Sequence, residues 1–178
     1  MKIYLIRHAQ TNYNELQLCN GDPMVDVHLT ELGLQQAHKL AAELADIDFD
    51  AIFISELPRT RQTAEPINAT HNKPIIIDKR INDNVTGYEG KPVQEWLDAI
   101  NNSPDKWTSS FNNGESLNQT IKRVQSFLDY LKLQSYNSVL IVTHGFITQA
   151  IYGIINAKDN DEAAAYQLAQ GDYEVLSW

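Results

Sequence analysis

The sequence predicts an α/β protein, a three-layer α/β/α sandwich around a mostly parallel sheet. Four short apolar runs are separated by longer segments with helical periodicity, and this alternation is typical of successive βαβ units. The runs are apolar at nearly every position, as expected for strands that are covered on both faces. A chain of 178 residues can bury a sizeable core, so we expect a single domain over residues 1–178.

The apolar runs give the predicted strands of the sheet. The first run, KIYLI, starts at the second residue, and the other three are DAIFI, PIII and SVLIV. A further short strand is expected at residues 173–176, at an edge of the sheet. The predicted parallel strands are therefore residues 2–6, 50–54, 74–77 and 138–142.

Two helices are predicted between the first three of these strands. Thr30 is a suitable N-cap for a helix near residues 31–46, because its side chain can accept a hydrogen bond from the first turn. Pro58 suits the first turn of the second helix, whereas Pro66 is expected to end or kink it. Small and apolar residues occupy one face of the first helix, namely Gly33, Ala37, Leu40, Ala41 and Leu44.

The second half of the chain predicts three more helices after an irregular segment. Residues 82–114 contain several Gly, Pro and Asn residues, and we expect them to form a flap beside the functional site. Ser116 and Gln119 have the spacing of a capping box. The helix that follows has apolar residues at three- and four-residue spacings, and further helices are expected after Gly145 and over residues 159–170.

Composition limits the class of protein and its partners. The formal net charge is −9, and such a surface repels nucleic-acid backbones and anionic lipids. The single cysteine, Cys19, excludes an internal disulfide and suits a reducing compartment. No apolar run approaches membrane-spanning length, and a predicted strand stands where a signal peptide would be. We therefore expect a cytoplasmic protein with neither nucleic-acid nor membrane partners.

Charged and polar residues gather directly after three of the predicted strands. Ligands of parallel sheets bind beyond the carboxyl ends of the strands, so these residues are expected to meet at one rim. Arginine side chains match phosphate oxygens in pairs, and a helix that begins after Gly145 would add backbone N–H donors. The rim residues are Arg7, His8, Thr11 and Asn14 after the first strand, Ser55 and Arg59 after the second, and Thr143, His144 and Gly145 after the fourth.

A single histidine after a strand is more often structural than functional, but two histidines and two arginines at corresponding strand ends favour a phosphate site. The sequence has no Cys–His or Asp-x-Asp spacing that would indicate a metal site. The other histidines, His28, His38 and His71, are scattered and are expected to be surface or core residues.

Several segments resemble the motifs of one family, in the expected order. The segment LIRHAQTNYN is similar to LIRHGxTxxN, HLTELGLQQA to PLTxxGxxQA, SELPRTRQTA to SxLxRAxQTA, and VTHGFI to VxHGxxI. The segment GESL is similar to the family's helix-capping segment. The chain thus resembles the histidine phosphatase superfamily, the phosphoglycerate mutase-like group that also includes fructose-2,6-bisphosphatases, and the resemblance implies the phosphoglycerate mutase-like fold.

The resemblance implies a role for each rim residue. His8 would attack phosphorus through a neutral ring nitrogen and form a phosphohistidine, which water then hydrolyses. Arg7, Arg59 and His144 would surround the phosphoryl oxygens and stabilise the transition state. No metal or other cofactor would be needed, because the arginines supply the positive charge. The expected phosphate-binding residues are Thr11, Asn14, Gly21 and Gly145.

Two positions depart from the family pattern. Ala9 stands where the family usually has glycine, a small-for-small change that should be tolerated. The family's proton donor is usually a glutamate, and counting back eight residues from Gly90 gives Asn82. Asp83, one residue later, is the candidate acid, and Glu89 is the second choice. Alternatively, Asp83 is only a turn residue.

The sequence therefore predicts a metal-independent phosphomonoesterase that acts on a small phosphorylated metabolite through phospho-His8. One alternative is a phosphoglycerate-type mutase, although the chain is short for that group. Another is a phosphate-binding regulatory domain with low turnover, suggested by Asn82. The substrate stays open between sugar phosphates, nucleotide-derived phosphates and α-ribazole phosphate, as does the oligomeric state. Residues that would recognise the leaving group are expected in the irregular segment that contains Tyr88, Trp96 and Trp107.

Overall fold

The computed structural model describes all residues from 1 to 178 and contains one five-stranded sheet. The strand order is β3-β2-β4-β1-β5, and β5 alone runs antiparallel to its neighbour. The predicted mostly parallel sheet is therefore confirmed, and each predicted strand end lies within one residue of the observed end. The strands are β1 (Lys2–Arg7), β2 (Ala51–Ile54), β3 (Ile75–Ile77), β4 (Ser138–Thr143) and β5 (Tyr173–Ser177).

Helices cover both faces of the sheet, so the three-layer sandwich is also confirmed. Alternate residues of the strands point to opposite faces, and two separate apolar clusters result. One cluster joins the strands to α2 and α3, and the other joins them to α5 and α6. The helices are α1 (Asn12–Glu15), α2 (Glu31–Glu43), α3 (Pro58–His71), α4 (Val93–Asn101), α5 (Leu117–Lys132), α6 (Gly145–Ile155) and α7 (Asn160–Ala164), with a 3-10 turn at Lys79–Ile81.

Side-chain caps begin two of the predicted helices where the sequence placed them. The Thr30 hydroxyl oxygen accepts a hydrogen bond from the Gly33 backbone N–H, 3.1 Å away, at the start of α2. Ser116 and Gln119 form a reciprocal capping box at the start of α5. These bonds satisfy N–H groups that have no partner within the helix. None of the helices is long and apolar enough to cross a membrane.

Of the two outcomes expected at Pro66, an end of the helix is wrong, because α3 continues to His71. A proline inside a helix removes one backbone hydrogen bond and crowds the preceding turn. Here Ala64 and Ile67, on either side of it, are fully buried against the sheet. Their tertiary packing stabilises the helix beyond the proline, a contribution that local preference alone does not include.

The last predicted helix is also shorter than expected. It ends at Ala164, whereas the sequence indicated residues 159–170. The Gln149 side chain donates to the carbonyls of Ala164 and Tyr166, at 3.2 and 3.1 Å. The Tyr166 ring stacks on Tyr152, with ring centroids 4.1 Å apart. These contacts from α6 hold the chain in an irregular conformation that a helical pattern does not reveal.

The segment predicted to be irregular, residues 82–114, lies beside the rim but contains the helix α4. The Val93 N–H donates to the Gln17 carbonyl at 2.8 Å, and the Cys19 N–H donates to the Lys91 carbonyl at 2.9 Å. These backbone bonds attach the start of α4 to the loop that follows α1. The helix therefore forms one wall beside the strand ends.

Candidate active site

The register of the sheet brings the two rim histidines together. Arg7 pairs with Thr143 across β1 and β4, so the residues that follow, His8 and His144, leave the sheet side by side. Their ring centroids are 5.2 Å apart. Both side chains are buried, with 3% of His8 and 0% of His144 exposed. Adjacent parallel strands thus create the pair directly.

The His8 ring has one nitrogen fixed as a donor and the other free of a proton. Nδ1 lies 2.8 Å from the Ala9 carbonyl oxygen, which can only accept, so Nδ1 carries the hydrogen. Nε2 accepts a hydrogen bond from Arg59 Nε at 3.2 Å. Burial and the adjacent charges of Arg59 and Arg7 hold the pKa of His8 well below its usual value. The ring is therefore neutral at neutral pH, with its lone pair on Nε2.

Arg59 connects His8 to the candidate acid. It is 4% exposed and lies in the first turn of α3. Besides His8, its guanidinium donates to the Asn20 side-chain oxygen at 3.2 Å, the Asn20 carbonyl at 2.9 Å and Asp83 Oδ2 at 2.9 Å. Burial lowers the pKa of Arg59 and the carboxylate of Asp83 opposes that shift. A buried cation with this set of partners is fixed in position.

Arg7 presents a second guanidinium at the same rim. Its Nη1 donates to the Leu168 carbonyl at 3.0 Å, and its buried Nε has no partner in the protein. Gly145 lies beside it, since a Cβ on Gly145 would be 3.3 Å from the Arg7 Cζ. Gly145 also begins α6, where backbone N–H groups favour an anion. Arg7 and the start of α6 can therefore bind the same phosphate.

His144 is fixed by hydroxyl groups at the end of β2. Its Nε2 lies 2.8 Å from the Ser55 hydroxyl, and the Ser55 hydroxyl lies 3.0 Å from that of Thr60. Thr60 donates to the Leu57 carbonyl at 2.9 Å, so its oxygen is left to accept the Ser55 proton. This network favours the His144 tautomer with hydrogen on Nε2. Burial, followed by the charge of Arg59, holds the pKa of His144 well below its usual value.

Asp83 is the predicted acid that reaches Arg59 and His144. Its Oδ2 lies 2.9 Å from Arg59 and 3.6 Å from His144 Nδ1. Burial raises the pKa of Asp83, although the charge of Arg59 opposes the shift. A raised pKa suits a carboxyl group that must hold a proton before it donates it.

The other two acid positions are engaged elsewhere. Asn82, at the position counted from the family pattern, accepts from the Glu56 N–H at 2.9 Å and donates to the Glu56 carboxylate at 3.0 Å. Glu89 accepts from the Thr86 N–H at 3.0 Å and from the Thr86 hydroxyl at 3.3 Å. Asp83 is therefore the carboxyl group that the fold brings to Arg59.

The four predicted phosphate-binding residues differ in what they contact. Thr11 and Asn14 bond to each other: the Thr11 hydroxyl donates to Asn14 Oδ1 at 2.9 Å and accepts from the Asn14 N–H at 3.2 Å. Asn14 lines the same cavity as Arg7, and the bonds from Thr11 hold Asn14 in position. Gly21 packs under residues 84 and 85, where a Cβ would come within 2.9 Å of the Asn84 carbonyl. Glycine is therefore required at position 21 because the backbone at Asn84 comes too close for a side chain.

The sequence did not identify several residues around the cavity in front of these groups. Asn20 anchors Arg59 from the loop after α1, and no pattern in that loop indicates it. Trp96, Val93 and Phe146 also line the cavity. The sequence indicates Trp96 only as part of the irregular segment expected beside the site. The sequence does contain one pattern that indicates the helix α4. Apolar residues follow the spacing of a helix face at Val93, Trp96, Leu97 and Ile100.

Comparisons with known proteins agree with this fold and with the resemblance of the motifs. Residues 3–178 match the family model described as "Histidine phosphatase superfamily (branch 1)". Phosphoserine phosphatase 1 of Hydrogenobacter thermophilus is 29% identical over 183 residues, which cover 99% of this chain and 86% of that protein. "Probable phosphoglycerate mutase GpmB" of Yersinia pestis is 29% identical over 194 residues, which cover 100% of this chain and 87% of that protein.

A solved structure has the same fold. The α-ribazole phosphatase from Shigella flexneri superposes with a TM-score of 0.87, covering 99% of this chain and 90% of that one. The sequence identity is 24%, so this likeness concerns the fold alone. It supports the arrangement of sheet and helices that places the rim residues together.

Proposed function

The chain belongs to the histidine phosphatase superfamily, and from that premise we propose that it hydrolyses a small phosphomonoester through a phosphohistidine on His8. The observation that carries the proposal is the neutral His8 ring, whose Nε2 lone pair lies against the buried guanidinium of Arg59. A neutral imidazole nitrogen is a nucleophile, and a guanidinium stabilises the phosphoryl oxygens that it attacks. We refer to Arg7, His8, Arg59 and His144 as the phosphate cradle.

Substrate binding prepares the nucleophile. In the free protein, the Arg59 Nε–H occupies the lone pair of His8 Nε2. A phosphate dianion competes for the guanidinium and thereby releases Nε2 for attack. The same dianion favours the protonated form of His144, which then offers an Nδ1–H to a phosphoryl oxygen. Arg7 and the first turn of α6 bind the remaining oxygens.

The chemistry proceeds in two displacements. In the first, the bond from His8 Nε2 to phosphorus forms, the bond to the leaving oxygen breaks, and that oxygen takes the proton of Asp83. In the second, water attacks the phosphohistidine, its proton returns to Asp83, and the His8–phosphorus bond breaks. The raised pKa of Asp83 suits both transfers. The two arginines stabilise charge in each transition state.

The relatives suggest two enzyme classes, a phosphatase and a mutase. Release of inorganic phosphate identifies the first, and transfer of the phosphoryl group to another position of the substrate identifies the second. The relative named a phosphoserine phosphatase supports hydrolysis of a small metabolite, and the one named a probable mutase supports phosphoglycerate rearrangement. We expect phosphate release from 4-nitrophenyl phosphate in the presence of a metal chelator. We expect no formation of 2-phosphoglycerate from 3-phosphoglycerate with a 2,3-bisphosphoglycerate primer. Rearrangement faster than hydrolysis would assign a mutase.

The test also distinguishes an enzyme from a phosphate-binding regulatory domain. Such a domain would bind vanadate or phosphate in the cradle without turnover of 4-nitrophenyl phosphate.

The proposed location is the cytoplasm, supported by the single buried Cys19, which suits a reducing compartment.

A further inference from the structure

Two cavities flank Arg7 and offer space for the part of the substrate beyond the phosphate. The first has a volume of about 220 Å³ and includes Asp83 and Gly145 in its lining. The second has a volume of about 280 Å³ and includes Asn14. Arg7 and Val93 line both. A phosphate held by Arg7 therefore projects its leaving group towards these cavities.

One side of the first cavity is apolar and partly aromatic. It consists of Val93 and Trp96 from α4 and Phe146 from α6, and we call these three residues the leaving-group wall. A flat aromatic surface binds the apolar face of a ring, whether a sugar or a base, through dispersion and burial. The wall thus favours a ring-shaped leaving group over a short chain.

Two side-chain amides in the same lining have unused hydrogen-bonding atoms. Asn20 accepts from Arg59 through Oδ1, which leaves the donor Nδ2 buried without a partner. Asn84 donates through Nδ2 to the Thr120 hydroxyl at 2.7 Å, which leaves the acceptor Oδ1 buried without a partner. A hydroxyl group can accept from one amide and donate to the other. A carboxylate can only accept, so it would leave Asn84 Oδ1 unsatisfied.

The charges around the cavities also disfavour an anionic leaving group. In the first cavity the charged lining residues are Arg7 and Asp83, and in the second Arg7 is the one charged residue. Arg7 is already assigned to the phosphate. A carboxylate on the leaving group would therefore be desolvated without a cation of its own. It would also lie close to Asp83 when that residue has given up its proton and carries a negative charge, which is unfavourable.

We propose that the substrate is the phosphomonoester of an uncharged, hydroxyl-bearing ring, a sugar or a nucleoside, and that esters with a carboxylate near the phosphate are poor substrates. The inference rests on the proposed function and specifies its leaving group. It disfavours both phosphoglycerate and phosphoserine as physiological substrates. The leaving-group wall binds the ring, and the two amides bind a hydroxyl near the ester oxygen.

A matched pair of substrates tests the role of charge. Glycerol 3-phosphate and 3-phosphoglycerate differ by an alcohol in place of a carboxylate. We expect kcat/KM for glycerol 3-phosphate to be at least about tenfold higher. An equal or higher value for 3-phosphoglycerate overturns the inference. If even 4-nitrophenyl phosphate releases no phosphate, the proposed function itself has failed, so the two failures are distinguishable.

A cation added to the wall should reverse part of this preference. In Val93→Lys, the new ammonium group can pair with the carboxylate of 3-phosphoglycerate, and we expect the ratio of the two kcat/KM values to fall about tenfold. Asn101→Lys adds the same charge at an exposed position of the same helix and should leave the ratio unchanged. A ratio that is unaffected by Val93→Lys would show that the wall does not face the leaving group.

Removal of the Trp96 side chain tests whether the wall binds a ring-shaped leaving group. Trp96→Ala should lower kcat/KM for ribose 5-phosphate and for a nucleoside 5′-monophosphate by about tenfold, relative to glycerol 3-phosphate. The larger loss identifies which of the two rings the wall fits better. An equal loss for glycerol 3-phosphate and both ring substrates overturns the assignment of a ring to the wall.

Discussion

The phosphate cradle and the leaving-group wall meet at Arg7 but are built by different means. The cradle residues lie at strand ends or in the first turn of the helix after one, and direct hydrogen bonds fix His8, Arg59 and His144. The wall comes from α4 and the first turn of α6 and consists of apolar side chains. Backbone bonds from the loop after α1 hold the start of α4. The cradle is thus a polar network, and the wall is a packed surface.

This difference separates the reaction from the choice of substrate. Substitutions in the cradle should change the rate for every phosphomonoester, because each ester presents the same phosphoryl group. Substitutions in the wall should change the ranking of substrates. Asp83 lies between the two regions, since it bonds to Arg59 and also lines the first cavity. Its effect should therefore depend on the leaving group.

The largest effect is expected at the centre of the cradle. His8→Ala removes the nucleophile and should reduce turnover of all substrates by about 10⁴-fold or more. Phosphate release and circular dichroism, measured together, test this result in a folded protein. His28→Ala, at an exposed histidine outside the site, is the matched control and should retain full activity. A folded His8→Ala protein with substantial activity would remove His8 from the nucleophile role.

A smaller but uniform effect is expected at Arg59. Arg59→Ala leaves the phosphoryl charge undercompensated and should reduce kcat by about 10²- to 10³-fold for aryl and alkyl esters alike. Inhibition by vanadate should weaken in parallel. Arg61→Ala, on the same helix and largely exposed, is the control. If vanadate bound equally well to Arg59→Ala, this arginine would lie outside the phosphate site.

The effect at Asp83 should depend on the leaving group. Asp83→Asn should slow alkyl phosphates by about a hundredfold, because an alkoxide needs a proton to leave, and should affect the departure of 4-nitrophenolate much less. Rate constants for phosphorylation of the enzyme by the two esters give the ratio. Asn82→Glu is not expected to raise alkyl turnover, since Asn82 is bonded to Glu56. An unchanged ratio in Asp83→Asn would assign the proton to another group.

The pH profile offers an independent check on Asp83. Because burial raises its pKa, the proton needed for alkyl esters is retained to a higher pH than in an ordinary aspartic acid. Alkyl phosphate turnover should decline as pH rises through that pKa, and the decline should be absent in Asp83→Asn. A profile shared by the wild-type protein and the variant would contradict the assignment.

The smallest effect concerns stability. Burial lowers the pKa of His8 and His144, so below their usual pKa the unfolded chain binds more protons than the folded one. The free energy of unfolding should therefore fall as pH drops below about 6.5, by up to about 1.4 kcal/mol per pH unit for each histidine. Asp83 has a raised pKa, so its contribution to stability changes with pH in the opposite direction. The histidine contribution is therefore obtained by comparing histidine variants with the wild-type protein.

Denaturant unfolding at pH 7 and pH 5 measures this contribution. His8→Gln and His144→Gln should each lose less stability between the two pH values than the wild-type protein does. His38→Gln, at an exposed position, should behave like the wild-type protein. Parallel losses in all four proteins would mean that the cradle histidines are not held neutral by the fold.

The two regions also differ in how well the sequence predicted them. The cradle was predicted because its residues come shortly after apolar runs, and strand register then brings His8 and His144 together. Counting from the family pattern gives Asn82, and Asp83 is the candidate because it is the neighbouring carboxyl group. Its contact with Arg59 agrees with that choice. Local sequence therefore contains most of the information that places the cradle.

The wall was predicted only in part, through Trp96 and the segment expected beside the site, because tertiary contacts determine its position. The segment before α4 contains glycine and proline, which obscure a nine-residue helix. Its position depends on backbone bonds to Gln17 and Lys91, which no local pattern encodes. Asn20 was missed for a similar reason, since its role arises from contact with an arginine far along the chain. The early end of α7 likewise follows from the contacts of Gln149.

The central claim is that the phosphoryl group passes through His8. Asp83→Asn is the suitable protein for trapping it, since an aryl ester needs no acid to leave and the variant lacks the base for the second displacement. The variant is mixed with 4-nitrophenyl phosphate, quenched in alkali and mapped by mass spectrometry. We predict one phosphoryl group on His8 that is lost in acid. Phosphorylation of His144, Asp83 or Cys19 instead, or continued turnover with no phosphorylated protein, would contradict the account.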